Sequence, residues 1–283
     1  MAKTVQKVDN KSPTIGFIGA GNMAAAIITA LNNRGYKSLL AYDIDTLKLD
    51  ELKGLIKIAK SSQEVIQKSD YIFICLKPQI AKVALKDLNF ASDKIVISIL
   101  AGVTLKTLQN LTGVEKIVRV MPNMNAAVGQ SVNAYCFSGL DKSQQQIVSN
   151  MLNSFGNSSI VQEEKIDSIT GIAGSGPAFV FRFLKGLVMA AEKEGLEPTV
   201  AIEIATQMLN GSTNFATKKL EKLNKTADFK QILEELDTLT NSICSKGGTT
   251  IEGVNHLDNN NFSELVAGAV GKSCARAKEL SSE

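Results

Sequence analysis

The sequence predicts an α/β protein: a doubly wound, mostly parallel sheet followed by an all-helical C-terminal domain. Three observations carry this. Short apolar runs alternate with helical patterns through the first half of the chain. Two of those runs, YIFICL and KIVISIL, are apolar at almost every position, as strands covered on both faces of a parallel sheet must be. Beyond about residue 165 the strand-like runs stop and long helical patterns take over, which separates a layered α/β domain from a helical one.

The elements follow in order. Residues 14–18 are an apolar strand, and the helical pattern of residues 22–33 begins just after the glycines GAG. Further strands are expected at 38–42, 71–76, 94–100, 116–120, 131–137 and 158–161, with helices at 62–68, 79–86, 105–111 and 143–155. The first long helix is GSGPAFVFRFLKGLVMAAEKEG, with Pro177 suited to its first position, where the missing N–H costs nothing. Helices at 197–220, 228–243, 249–255 and 262–280 complete the chain. The GSGPAF helix is apolar nearly all round (Phe179, Val180, Phe181, Phe183, Leu184, Leu187) and must be covered on every side, by its own domain or by a second subunit. The expected division is a polar, disordered tail at 1–13, a sheet domain at 14–164 and a helical domain at 165–283.

Composition narrows the function. Of 283 residues, 44% are hydrophobic and 21% charged, and the net charge is +3, which is ordinary for a globular protein and too weak to argue for nucleic acid. The four cysteines, Cys75, Cys136, Cys244 and Cys274, lie far apart and form no C-x-x-C pair, so neither a zinc site nor a disulfide framework is expected. The single histidine, His256, suits a helix surface. No stretch reaches the roughly 18 apolar residues of a membrane helix, and residues 1–13 lack the apolar core of a signal peptide. A reducing cytoplasm is the expectation.

Gly19-Ala20-Gly21-Asn22-Met23-Ala24 matches G-x-G-x-x-[GA] between an apolar strand and a helix, the context that turns a weak match into a dinucleotide cradle of the Rossmann type. Gly19 makes the turn, Gly21 lets a pyrophosphate approach the backbone, and the helix start offers free N–H groups. About 20 residues on, Asp43 ends the second strand, where an acid bonds a ribose 2′-hydroxyl and repels a 2′-phosphate; this leans slightly to NADH. Lys77 and Ala101-Gly102 sit at the carboxyl ends of later strands, where ligands bind in this fold. Near the far end, Ser245-Lys246-Gly247-Gly248-Thr249-Thr250 precedes a helix. It reads either as a second anion cradle or as a capped helix start.

GFIGAGNM, CLKPQ, SILAGVTL, RVMPN, TGIAGSGPAF and SKGGTTIEGV occur in that order. On these motifs the chain resembles the Δ1-pyrroline-5-carboxylate reductase family over nearly its whole length. The resemblance implies reduction of a cyclic imine carboxylate to L-proline by hydride from NADPH or NADH, without a metal. It implies that Thr250 bonds the ring nitrogen and that Ser245, Gly247, Gly248, Thr249, Thr250 and Asn123 hold the substrate. It further implies cofactor contacts at Ile18, Gly19, Ala20, Gly21, Asn22 and Met23, then at Asp43, Ile44, Ser62, Leu76, Lys77 and Ala101. In such enzymes the GGTT loop comes from the partner subunit of a dimer and faces the nicotinamide held by the first domain, and dimers often form rings. Two departures stand out: Met124-Asn125 where the family has Thr-Pro, and Lys246 where it has proline. Lys246 adds a cation near the substrate carboxylate or sits solvated.

Rival readings are a reductase of a related cyclic imine and a dinucleotide sensor without turnover. A β-hydroxyacid dehydrogenase would need a lysine soon after the second G-x-G; the first lysine here is Lys185. No nucleic-acid or membrane partner is expected.

Overall fold

The structure, a computed structural model, describes residues 13–223 and 227–282, with only the backbone of Ser282. Apart from Pro13, the tail expected at 1–13 lies outside the described residues. The sheet has eight strands in the order β3-β2-β1-β4-β5-β6-β7-β8. β1 (Ile15–Ile18), β2 (Leu39–Tyr42), β4 (Tyr71–Ile74), β5 (Ile95–Ser98) and β6 (Ile117–Met121) run parallel. β7 (Ser131–Ser138) pairs antiparallel with β6, and β8 (Gly156–Ile160) returns parallel to β7. The short link from β6 to β7 forces that reversal, since a parallel return needs a longer crossover. The β8 return is made through α6 (Lys142–Leu152), which opens on a capping box at Asp141 and Gln144.

The sequence expectation missed the very short β3 (Lys57–Ile58) and α2 (Thr46–Asp50). Neither is long enough to show a period. α1 (Asn22–Asn33), α3 (Ser62–Lys68), α4 (Pro78–Leu85) and α5 (Leu105–Thr112) lie where helices were expected.

Successive strand residues enter opposite cores. Phe17 of β1 and Phe73 of β4 stack at 5.0 Å in one core, while Ile18, Ile72 and Ile74 belong to the other. Helices on both faces explain why YIFI is buried at all four positions.

Contacts divide the chain into one unit that runs to Pro177 and resumes at Val270, and another at Ala178–Ala269. The sheet unit thus takes in residues up to Pro177, and the end of the last helix, α12 (Phe262–Ser282), goes with the sheet. Two close approaches hold it there. A Cβ on Gly171 would meet the Cys274 backbone nitrogen at 2.8 Å, and one on Gly102 would meet the Leu280 carbonyl at 2.8 Å.

The second unit consists of most of α8 (Gly176–Lys193), α9 (Pro198–Leu220), α10 (Phe229–Asn241), α11 (Thr249–Asn259) and the first part of α12. Phe183 and Phe262 meet within it, rings 6.0 Å apart. α8, α10 and α11 bury none of their described residues, and α9 buries only Ala201 and Ala205. Phe181 is 61% exposed and Phe229 85%. As a single copy this unit has helices without a core of its own, an arrangement that apolar surface does not tolerate in water.

Helical turns follow one another from Glu163 to Lys193, through a π-turn at Thr170–Gly174 closed by Ser175 N–H to the Thr170 carbonyl at 3.0 Å, with Ser175 a bend before α8. By length and composition this is the one helix among the described residues that could cross a membrane. That corrects the sequence expectation that no stretch is long and apolar enough; the segment passes with charges such as Arg182 and Lys185 within it.

Candidate active site

β1, β2, β4 and β5 end at the same edge of the sheet, and strand order reverses between β1 and β4. Ligands of open α/β sheets bind outside the strand ends at such a reversal. The first cradle lies there. Gly19 has φ +98°, and a Cβ on it would lie 2.5 Å from the Cys75 carbonyl oxygen, so glycine is required for both conformation and space. Cys75 N–H donates to the Ile18 carbonyl at 2.8 Å, and Gly19 N–H donates to the Tyr42 carbonyl at 2.8 Å. Gly21 is extended and a Cβ on it would meet nothing within 4 Å. No side chain caps α1, so the amides of Asn22, Met23 and Ala24 have no helical acceptor. Open space above Gly21 and free donors beneath it fit a pyrophosphate.

Around this turn the expected cofactor residues are dispersed but share the edge. Ile18 and Ala20 are buried, which limits them to backbone contacts, whereas Ile44 is 86% exposed. Ser62 is the first residue of α3, after the Ser61 cap. Leu76 is half-buried against the second core, and Lys77 is exposed at the start of α4, with Pro78 at its first position. Ala101 is half-buried in the turn after β5. Asp43, expected either at the ribose or capping the turn before Thr46, is held by backbone amides: its carboxylate Oδ2 accepts the Ala20 N–H at 2.8 Å, and Oδ1 accepts the Asp45 N–H at 2.9 Å.

The second cradle belongs to the helical unit. Gly247 has φ +68°, and Gly248 N–H donates to the Ser245 carbonyl at 3.0 Å. Gly248 then starts α11 without a side-chain cap, so the reading of this segment as a threonine-capped start does not hold. The amides of Thr249, Thr250 and Ile251 are left open. Thr249 and Thr250 are exposed, and nothing among the described residues bonds their hydroxyls. Lys246 is exposed.

Asn123 is 5% exposed, and its side chain is committed within the protein. Nδ2 donates to the Ala173 carbonyl at 2.9 Å, and Oδ1 accepts the Asn125 N–H at 3.2 Å. It ties the end of β6 to the π-turn of the GIAGSGP segment. π-turns of this kind are frequent at functional sites.

Sequence reasoning also missed Arg119, 2% exposed on β6. Its guanidinium donates to Glu163 at 3.2 Å and Asp167 at 2.8 Å, and the same Glu163 oxygen accepts the Leu105 N–H. The signal was available: one arginine within the apolar run KIVRVM has to find carboxylates once buried. Among the described residues no three His, Cys, Asp or Glu side chains gather as metal ligands.

Residues 163–280 match the family model described as pyrroline-5-carboxylate reductase dimerisation, and residues 14–102 match that of NADP oxidoreductase, coenzyme F420-dependent. The chain is 32% identical to the pyrroline-5-carboxylate reductase of Escherichia coli over 276 residues, covering 94% of this chain and 98% of the relative. It is 30% identical to that of Arabidopsis thaliana, covering 94% and 95%. The crystal structure of a Plasmodium falciparum pyrroline carboxylate reductase with NADP bound superposes with a TM-score of 0.83 at 27% identity, covering 95% of this chain and 98% of that one. The Streptococcus pyogenes enzyme superposes at 0.80 with 30% identity, covering 94% and 98%.

Proposed function

The chain belongs to the pyrroline-5-carboxylate reductase family, and from that premise we propose how its two cradles divide the work. The protein is an NAD(P)H-dependent oxidoreductase that reduces Δ1-pyrroline-5-carboxylate to L-proline, the last step of proline biosynthesis. Bound at the first cradle, the dinucleotide supplies a hydride to the C=N carbon. The amides of Asn22, Met23 and Ala24 would hold its pyrophosphate, with Ile44 and Ala101 beside it as further contacts.

The second cradle holds the substrate. The open amides at the start of α11 bind the ring carboxylate, and the Thr250 hydroxyl bonds the ring nitrogen. A protonated imine is already an electrophile, so the protein's contribution is position and a polar, water-poor surround. Asn123 supports this site through the π-turn, with Ser245 and Gly247 shaping the loop. In the dimer the second cradle is contributed by the other copy, and dimers assemble further into rings. Four free cysteines suit a reducing cytoplasm.

The observation that carries this reading is the uncapped start of α11 beside a free Thr250 hydroxyl, in a family motif. In assays following oxidation of NADH and NADPH with Δ1-pyrroline-5-carboxylate, Thr250→Ala is expected to lower kcat about tenfold or more while cofactor affinity holds. Turnover only on a six-membered homologue would reassign the ring size. Unchanged kcat in Thr250→Ala would remove the hydroxyl from the chemistry.

A further inference from the structure

We propose that Asp43 is a positioning residue: its carboxylate braces the Gly19–Gly21 turn for NADH and NADPH alike and does not read the ribose. This rests on the dinucleotide reading of the first cradle. Backbone pairing between β1 and β2 ends where Gly19 N–H meets the Tyr42 carbonyl. The next amide, that of Ala20, belongs to a residue 3% exposed and needs an acceptor that the ladder no longer offers. Asp43 Oδ2 stands in that place at 2.8 Å. On the other side of the turn, Gly19 lies against the Cys75 backbone. The turn is therefore held from both flanking strands, β2 through a side chain and β4 through main chain.

The same geometry turns the carboxylate toward the protein, each oxygen holding one backbone amide and keeping one further acceptor site. Oδ1 accepts the Asp45 N–H at 2.9 Å and faces the Lys48 ammonium at 3.7 Å, and the side chain is 11% exposed. A ribose-reading acid must present an acceptor outward. Here each oxygen already accepts one backbone amide, and the Lys48 ammonium is shared with Asp45, to which it lies closer at 3.3 Å. An acid at this position is then compatible with the match of residues 14–102 to an NADP oxidoreductase domain.

The test measures kcat, KM and fluorescence-titrated affinity for NADH and NADPH in the full chain, comparing wild type with Asp43→Ala and Asp43→Asn. Asparagine keeps an acceptor for Ala20 and removes the charge. Asp43→Ala is expected to weaken both cofactors by about tenfold, the scale of one buried amide losing its partner. The ratio of the two should stay within about twofold and kcat at saturation should change little, while Asp43→Asn restores most of the affinity. A ratio that moves about tenfold toward NADPH in Asp43→Asn would overturn the proposal, because that marks the loss of a ribose ligand. Unchanged affinity for both cofactors in Asp43→Ala would overturn it as well. The titrations need no imine, so they read the brace even if the substrate assignment fails; wild type binding neither cofactor would bring down the dinucleotide reading and the brace together.

Discussion

Gly19 and Gly21 stand two residues apart and fail for different reasons when a methyl group is added. At Gly19 the methyl would press on the Cys75 carbonyl in a backbone conformation that L residues avoid. Gly19→Ala is expected to lower both thermal stability and cofactor affinity. At Gly21 nothing lies within 4 Å and the backbone is extended, so Gly21→Ala is expected to melt within a few degrees of wild type. Its methyl would nevertheless fill the space a pyrophosphate needs, and NADPH affinity should fall about tenfold or more. Fluorescence titration beside a melting curve separates the two. Loss of stability in Gly21→Ala would mean that the open space serves packing. The first cradle was legible from these glycines because a tight turn is a local demand. The acceptor for Ala20 was not, since it is a side chain 23 residues away.

Among the elements, β6 carries a charge buried in the sheet, beside β7. Arg119 on β6 is in register with Cys136 on β7. Burial first, and then the Glu163 charge, pushes the Cys136 thiol up to about 12. Burial, then the charges of Asp141 and Asp70, pushes the Tyr71 phenol of β4 up to about 12. Both groups hold their protons more tightly in the folded chain than in the unfolded one, whose values are 9.0 and 10.0. Their contribution is therefore complete below about pH 9 and is lost as pH rises toward 12. Urea midpoints should fall from about pH 9 upward, and the slope should shrink in a Cys136→Ala, Tyr71→Phe double variant relative to that variant's own neutral-pH value. An unchanged slope would assign alkaline unfolding to other groups. Strand and helix types were readable from periodicity here, but β3 and α2 were too short to carry one. The commitment of Asn123 to Ala173, 50 residues on, needed the packed chain to appear.

For the molecule as a whole, the helical unit sets the terms. Val180, Phe181, Leu265 and Val266 are each at least 40% exposed on α8 and α12, and the match of 163–280 to a dimerisation domain says what class of surface covers such faces. Stability should then depend on association, because each subunit supplies the core that the other lacks. The melting temperature is expected to rise with protein concentration, and Phe181→Glu should shift sedimentation toward monomer with loss of turnover. A melting temperature independent of concentration, with an unchanged sedimentation coefficient in Phe181→Glu, would show that this face is not an interface. The all-round apolar character of the first long helix pointed to such cover from sequence alone, while leaving open whether its own domain or a second subunit provided it.

By itself the sequence determined the order of all but the shortest strands and helices, the glycine turn after β1 and the family. Those depend on local spacing: a glycine where a turn needs one, apolar residues every second or every third and fourth position, and motifs kept in order. The tertiary structure alone decided that β7 runs against β6, that Asp43 accepts the Ala20 amide and Asn123 bonds the Ala173 carbonyl, and that α12 returns to the sheet at Gly102 and Gly171. A side chain's role depends on which donors reach it, and those donors arrive from distant parts of the chain only once the two cores have closed around the sheet.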